Sequence, residues 1–312
     1  MVELICIKNA MMEILILILT IYVCSCTSGV RSVHDSIHFG SDPSLHTKQK
    51  NGGDFVLIEG DSGLIGAECA KIKNGKIDCG NANRLWLKNI KVTLNNYYIG
   101  RTEVTADQFY RCVAAKECSE VKHQGCSSDI YKRRGDIVSS SKGVPQVCVT
   151  WYQARKYCRW IGGDLPTESE WEYAARCQKG ECKRWPWGNE TPTSQRDHFS
   201  EHEPQDALGP ADVFDYPEGA TSGGILGLAG NVSEWVLDGG WHYALEYKCP
   251  YNCTKINIDG IFNTDRYTSS VVKGNSWINL IENIAPIYSR RSVPKDEWRN
   301  DLGFRCVIHS NK

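Results

Sequence analysis

PQVCVTWYQARKYCRWIGGDLPTESEWEYAAR, residues 145–176, holds two helix starts of one design. Thr150 is followed three residues on by Gln153, and Thr167 by Glu170. In each pair the two side chains satisfy backbone amides that a helix start leaves orphaned. The first helix carries Trp151, Ala154, Cys158 and Ile161 on one face and stops at Gly162-Gly163; the second buries Trp171 with Ala174 or Ala175. Upstream, Thr105 and Gln108 repeat the signal. Outward from these helices the chain reads as short strands between long loops rich in Gly, Pro and Asn. It ends in a strand on which Phe304, Cys306 and Ile308 alternate. The expected class is α+β with low regular secondary structure.

With 312 residues, 41% of them hydrophobic, the chain can bury a sizeable core, which excludes disorder and collagen-like repeats. Lys and Arg number 36 against 37 Asp and Glu; without residues 1–25, which hold Lys8, Glu3 and Glu13, the charges balance. No basic field exists to attract nucleic acid.

Ile14–Val23, ILILILTIYV, is an apolar run too short to span a bilayer but suited to a signal-peptide core. The following Val23-Cys24-Ser25-Cys26 resembles a bacterial lipobox, so residues 1–25 are read as a leader and Cys26 as the lipid acceptor. This predicts an exported protein of the cell envelope, lipid-anchored to the outer membrane or cell surface. Residues 27–53 are polar and without apolar periodicity, as expected of a flexible linker. Residues 54–312 form the expected single domain.

Fifteen cysteines imply an oxidising compartment. Setting aside Cys6, Cys24 and Cys26 leaves an even set. Short spacings make Cys69–Cys79, Cys177–Cys182 and Cys249–Cys253 candidate bridges. No CxxC pair occurs, which argues against a zinc ribbon or a thioredoxin-like site. His198 and His202, followed by Glu203, have a metal-like spacing, but Pro204 and the polar surroundings favour a solvated loop. There is no G-x-S-x-G elbow for serine hydrolase chemistry.

Seven blocks carry a family resemblance: FVLIEGDSGLIG (55–66), YYIGRTEVTADQFY (97–110), the stretch 145–176, RWPWGN (184–189), GLAGNVSEWV (227–236), VVKGNSW (271–277) and DLGFRCV (301–307). In this order they resemble the sulfatase-modifying-factor family, whose founding members are formylglycine-generating enzymes. The resemblance implies a low-regularity α+β variant of the C-type lectin fold, with disulfides, and a bridge between Cys158 and Cys306. It also implies that Ala229, Gly230, Val232 and Glu234 bind a structural calcium ion, with Asp206 and Leu208 in a second calcium loop; carbonyl and carboxylate oxygens suit that hard cation.

The enzymes of this family use two cysteines that hold copper(I), for which thiolates are suited ligands. Aligned on Lys273-Gly274-Asn275-Ser276-Trp277, those positions are Asn279 and Ile284, and no cysteine lies between Cys253 and Cys306. Formylglycine generation is therefore predicted absent, and copper is not expected. Trp151, Trp171 and Trp235 are read as core, and Trp241, Trp277 and Trp298 as candidate stacking platforms. Within residues 277–301, Asn279, Glu282, Asn283, Tyr288 and Trp298 are candidate contacts for a protein or glycan ligand. The expected role is binding or scaffolding; the alternative is an unidentified enzymatic activity, of oxidoreductase or protein-maturation type, in the same cleft.

Overall fold

A computed structural model describes residues 47–50, 53–66, 70–71, 77–78, 90–121, 143–178, 181–201, 209–239 and 267–309. All lie within a unit spanning Leu45–Lys312; the separate unit Met1–Ser44, with the leader and Cys26, falls outside the described residues. Cys69, Cys79, Cys249, Cys253, Asp206, Leu208, His202 and Trp241 also fall outside them.

In chain order the strands are β1 (Thr47–Lys50), β2 (Gly53–Ile58), β3 (Ser62–Ile65), β4 (Ala70–Lys71), β5 (Ile77–Asp78), β6 (Ile90–Thr93) and β7 (Tyr97–Gly100). Helices α1 (Ala106–Ala114), α2 (Trp151–Trp160) and α3 (Glu168–Arg176) follow. The remaining strands are β8 (Cys177–Gln178), β9 (Glu181–Cys182), β10 (Ser233–Gly239), β11 (Ser269–Lys273), β12 (Arg291–Pro294), β13 (Leu302–Phe304) and β14 (Val307–His309). Two four-stranded sheets organise the unit. One, ordered β1-β2-β7-β14, is antiparallel; the other, β12-β11-β10-β13, pairs β10 with β13 in parallel. Strand β1 corrects the expectation of a linker running to residue 53, because Thr47–Lys50 pairs with Gly53–Val56. β1 lies at the edge of its sheet.

All three helices open with complete capping boxes at Thr105, Thr150 and Thr167. Helix α2 buries Trp151, Ala154 and Cys158 as expected, adds Tyr157, and turns off at Gly162, whose φ of +81° suits glycine. It packs in a core with Phe109, Trp235, Phe304 and Cys306. Helix α3 differs from the amphipathic expectation: Glu168, Glu170, Trp171, Glu172, Tyr173, Ala174, Ala175 and Arg176 are all buried. Its charges are tolerated because they pair. Glu172 meets Arg176 at 3.0 Å and Lys273 at 2.9 Å, while Glu168 meets Arg290 at 2.9 Å.

The final strand is also corrected. It breaks at Arg305-Cys306 into β13 and β14, and all of Leu302–Ile308 is buried, so alternation fails. Arg305 turns inward to a carboxylate, and Cys306 is bridged to Cys158 on α2. Cys112–Cys118 and Cys177–Cys182 are further disulfides.

His309, at the end of β14, places Nε2 2.6 Å from Glu170 Oε1. This hydrogen bond holds the imidazole pKa above its ordinary 6.5. A raised histidine pKa adds stability that is complete below about 6.5 and disappears as pH rises through the folded value. Because His309 is half exposed, the contribution is expected to stay below about 1 kcal/mol. Melting temperatures of the native protein and His309→Gln, measured at pH 5.5 and 8.5, should differ more at the lower pH.

Candidate functional site

Arg305 is fully buried and organises the centre of the site. Its Nε and Nη2 donate to the two oxygens of Glu234 at 2.7 Å each, and Nη1 and Nη2 reach the carbonyls of Gly100 and Leu226. Such a two-point guanidinium–carboxylate contact fixes orientation as well as charge. Trp171 Nε1 donates to the same Glu234 at 2.7 Å, Trp151 Nε1 to the Val236 carbonyl and Trp235 Nε1 to that of Val149. These three tryptophans lie in the core, each with its N–H satisfied, as a buried indole requires.

Around Arg305 stand two further buried acids that sequence reasoning missed. Glu103 Oε1 accepts from Asn231 Nδ2 at 3.0 Å, while its Oε2 is buried without a hydrogen-bond partner. Burial pushes its pKa up to about 8, with Glu234 adding to the rise. Asp197 accepts from the backbone N–H groups of Ala229 and Gly230, and burial raises it to about 6. Asn231 holds a φ of +59° and ties the loop together, its Oδ1 accepting from Ala211 N. A Cβ on Gly227 would lie 2.5 Å from both oxygens of Glu103, so only glycine fits there.

Among the described residues no group of three or more His, Cys, Asp or Glu side chains forms a metal cage. A calcium site here must therefore use backbone carbonyls as well. The orphaned Glu103 oxygen, within electrostatic reach of Glu234, is a hard oxygen donor of the right type, and burial favours a proton on Glu103 in the absence of a cation. The Ala229 carbonyl accepts from Asn275 N at 3.2 Å and Asn275 Nδ2 at 3.0 Å, and both Glu234 oxygens accept from Arg305, one of them from Trp171 as well.

The KGNSW turn places the two substituted positions. Gly274 has a φ of +74°, and Asn275 spans the loop from the Ala229 carbonyl to Ala285. Asn279 Oδ1 accepts from the backbone N–H and hydroxyl of Ser276 at 2.8 and 3.1 Å, and Ile284 packs against the core. The single Ser276 hydroxyl proton is shared between Asn279 Oδ1 and Asp301 Oδ2, the latter at 2.9 Å, and Asp301 pairs with Arg299. All seven described cysteines are disulfide-bonded.

The five candidate contact residues do not share one face. Glu282 and Asn283 are exposed on a short 3-10 turn, and Asn279 is engaged internally. Tyr288 lies against the Arg176 guanidinium at 5.8 Å, whereas Trp298 packs with Val147, Val232 and Trp277. Trp277 is buried and donates to the Asn300 carbonyl, so it belongs to the core and is no open platform. His198 is neither solvated nor arranged as a metal ligand. It stacks on Tyr216, and its ring nitrogens contact the Tyr216 hydroxyl and the Gly209 carbonyl.

Away from this centre opens a cleft of about 760 Å³. Trp187 forms part of its wall, with Arg176, Lys183, Arg196 and Glu181, Glu190, Glu218 around it. Trp187 was hidden in the sequence within RWPWGN, where the other tryptophan, Trp185, is buried and Trp187 only half buried.

These features define a disulfide-tied α+β domain whose sequence blocks build a buried charge centre around Arg305. The sulfatase-modifying factor enzyme 1-like domain model matches residues 43–310, and the chain belongs to that family. It is similar to the serine/threonine-protein kinase Pkn1 of Chlamydia trachomatis, 29% identical over 251 residues that cover 78% of this chain and 38% of the kinase. The chain thus spans about two-fifths of that relative's length. The formylglycine-generating enzyme of Thermomonospora curvata is 31% identical over 186 residues, 55% of this chain and 58% of that enzyme. Inactive C-alpha-formylglycine-generating enzyme 2 of Bos taurus is 30% identical over 190 residues, 55% of this chain and 53% of that protein. Among solved structures, PvdO from Pseudomonas aeruginosa shares the fold at a TM-score of 0.58 and 16% identity, covering 85% of this chain and 97% of PvdO. Treponema denticola variable protein 1 does so at 0.55 and 18%, covering 85% and 99%.

Proposed function

We propose that this chain is a cell-envelope member of the family that does not generate formylglycine and acts as a binding or scaffolding module. The observation that carries the reading is the pair Asn279 and Ile284: one side chain is engaged in holding the Ser276 turn, the other packs in the core, and neither has a thiol to hold copper(I). A relative named as inactive supports the same direction. Incubating the purified protein with copper(I), oxygen and a cysteinyl peptide is expected to leave the peptide thiol unchanged; formylglycine in the peptide's mass spectrum would overturn the reading.

Export through residues 1–25 and acylation of Cys26 complete the proposal, and the bridges suit an oxidising compartment. Mass spectrometry of the N-terminal peptide from native membranes should find a lipid on Cys26, lost in Cys26→Ser.

Calcium is part of the same reading. An ion at the loop of Ala229, Gly230, Val232 and Glu234, with the orphaned Glu103 oxygen as a further donor, takes the place of the proton that burial favours on Glu103 and holds the loop 227–234 in place. Titration calorimetry on chelator-treated protein is expected to show one strong calcium site, weakened by Glu103→Gln. At ten times Kd, bound calcium should stabilise the fold by about 1.4 kcal/mol.

A further inference from the structure

We infer that the cleft walled by Trp187 binds a short, uncharged oligosaccharide. This deepens the binding reading above and rests on it, while moving the contact surface away from residues 277–301.

The cleft is built before any ligand arrives. The Cys177–Cys182 disulfide closes the β8–β9 hairpin on one side, and Lys183 N donates back to the Arg176 carbonyl at 2.8 Å. Trp187 stacks on buried Trp185 with centroids 5.7 Å apart and planes 6° from parallel, and its Nε1 donates to the Glu190 carbonyl. On the opposite wall, a Cβ on Gly219 would stand 1.7 Å from the Arg196 carbonyl. The missing side chain lets the loop bearing Glu218 close against the segment bearing Arg196. A site with walls fixed in this way loses little entropy on binding.

The lining selects the ligand's chemistry. Three cations, Arg176, Lys183 and Arg196, face three anions, Glu181, Glu190 and Glu218. Among the described residues the lining carries no net charge, and donors and acceptors are interspersed around it. An apolar anchor would want a mainly apolar pocket. A row of hydroxyls, each donor and acceptor at once, matches guanidinium, ammonium and carboxylate groups set side by side. Arg176 is committed to Glu172 and backbone carbonyls, and Arg196 lies over Trp187 and near Glu190. Lys183 and Glu218 are exposed and hold no ion pair among the described residues, so they are the groups left to meet ligand hydroxyls. Trp187, half buried between Trp185 and the Arg196 guanidinium, supplies the cleft's apolar surface with the part of its ring that those two leave uncovered.

The test is titration calorimetry of the full folded domain against cellotetraose, maltotetraose and chitotetraose. At least one should give saturable binding. Lys183→Gln and Glu218→Gln should each weaken it about tenfold, and Trp187→Phe at least as much, with melting temperatures of the first two unchanged. Absence of binding by all three sugars at millimolar concentration would overturn the inference. Binding that survives both Gln variants but falls in Glu282→Gln or Asn283→Ala would overturn the cleft and keep the binding reading. Turnover in the cysteinyl-peptide assay would remove that reading instead.

Discussion

Replacing Arg305 by methionine is expected to cost about 3–5 kcal/mol of folding free energy, because it strands the buried Glu234 carboxylate without its counter-charge. Domains are commonly stable by about 5–15 kcal/mol, so this one change consumes a large part of the margin. Two carbonyls, of Gly100 and Leu226, lose their donors at the same time. Denaturant unfolding of the variant would measure the loss. Combining it with Glu234→Gln should recover part, since a neutral amide tolerates burial better than an unpaired charge. A loss under about 1 kcal/mol would mean that the acids around Arg305 are neutralised by other means.

The second large effect concerns Cys158–Cys306, which joins residues 148 positions apart. Chain-entropy reasoning puts its contribution near 5 kcal/mol, against about 2 kcal/mol for the five-residue span of Cys177–Cys182. The double variant Cys158→Ala, Cys306→Ala should therefore lower the unfolding midpoint much further than Cys177→Ala, Cys182→Ala. Equal losses would show that native-state packing, and not the constrained unfolded chain, sets the contribution of each bridge.

The helix starts were legible because a capping box is local: Thr150 and Gln153 need only each other. The burial of α3 was not, since Glu168, Glu172 and Arg176 read as a solvated face until Lys273 and Arg290 arrive from about a hundred residues downstream. The same distance hid Glu103, which reaches the GNVSEW loop through Asn231 from a different part of the chain. The last strand misled because an inward arginine is indistinguishable in a pattern from an outward one; only Glu234 decides which way Arg305 faces. β1 escaped notice because TKQK has no apolar face, and its place in the sheet comes from backbone pairing with β2. Trp187 was absorbed into a motif whose other tryptophan is core, and periodicity cannot separate two residues in one irregular turn.

The positions that lock this unit together sit at its far end. Arg305 neutralises Glu234, Cys306 closes the longest bridge described, and Val307 exchanges hydrogen bonds with Asp164 just beyond α2. A Cβ on Gly163 would meet the Val307 carbonyl at 2.0 Å, so β14 is seated tightly against that turn. A chain emerging from the ribosome therefore carries Glu234 and Cys158 unpartnered until Arg305 and Cys306 follow. Until then the core between α2 and β10 stays open to chaperones and proteases.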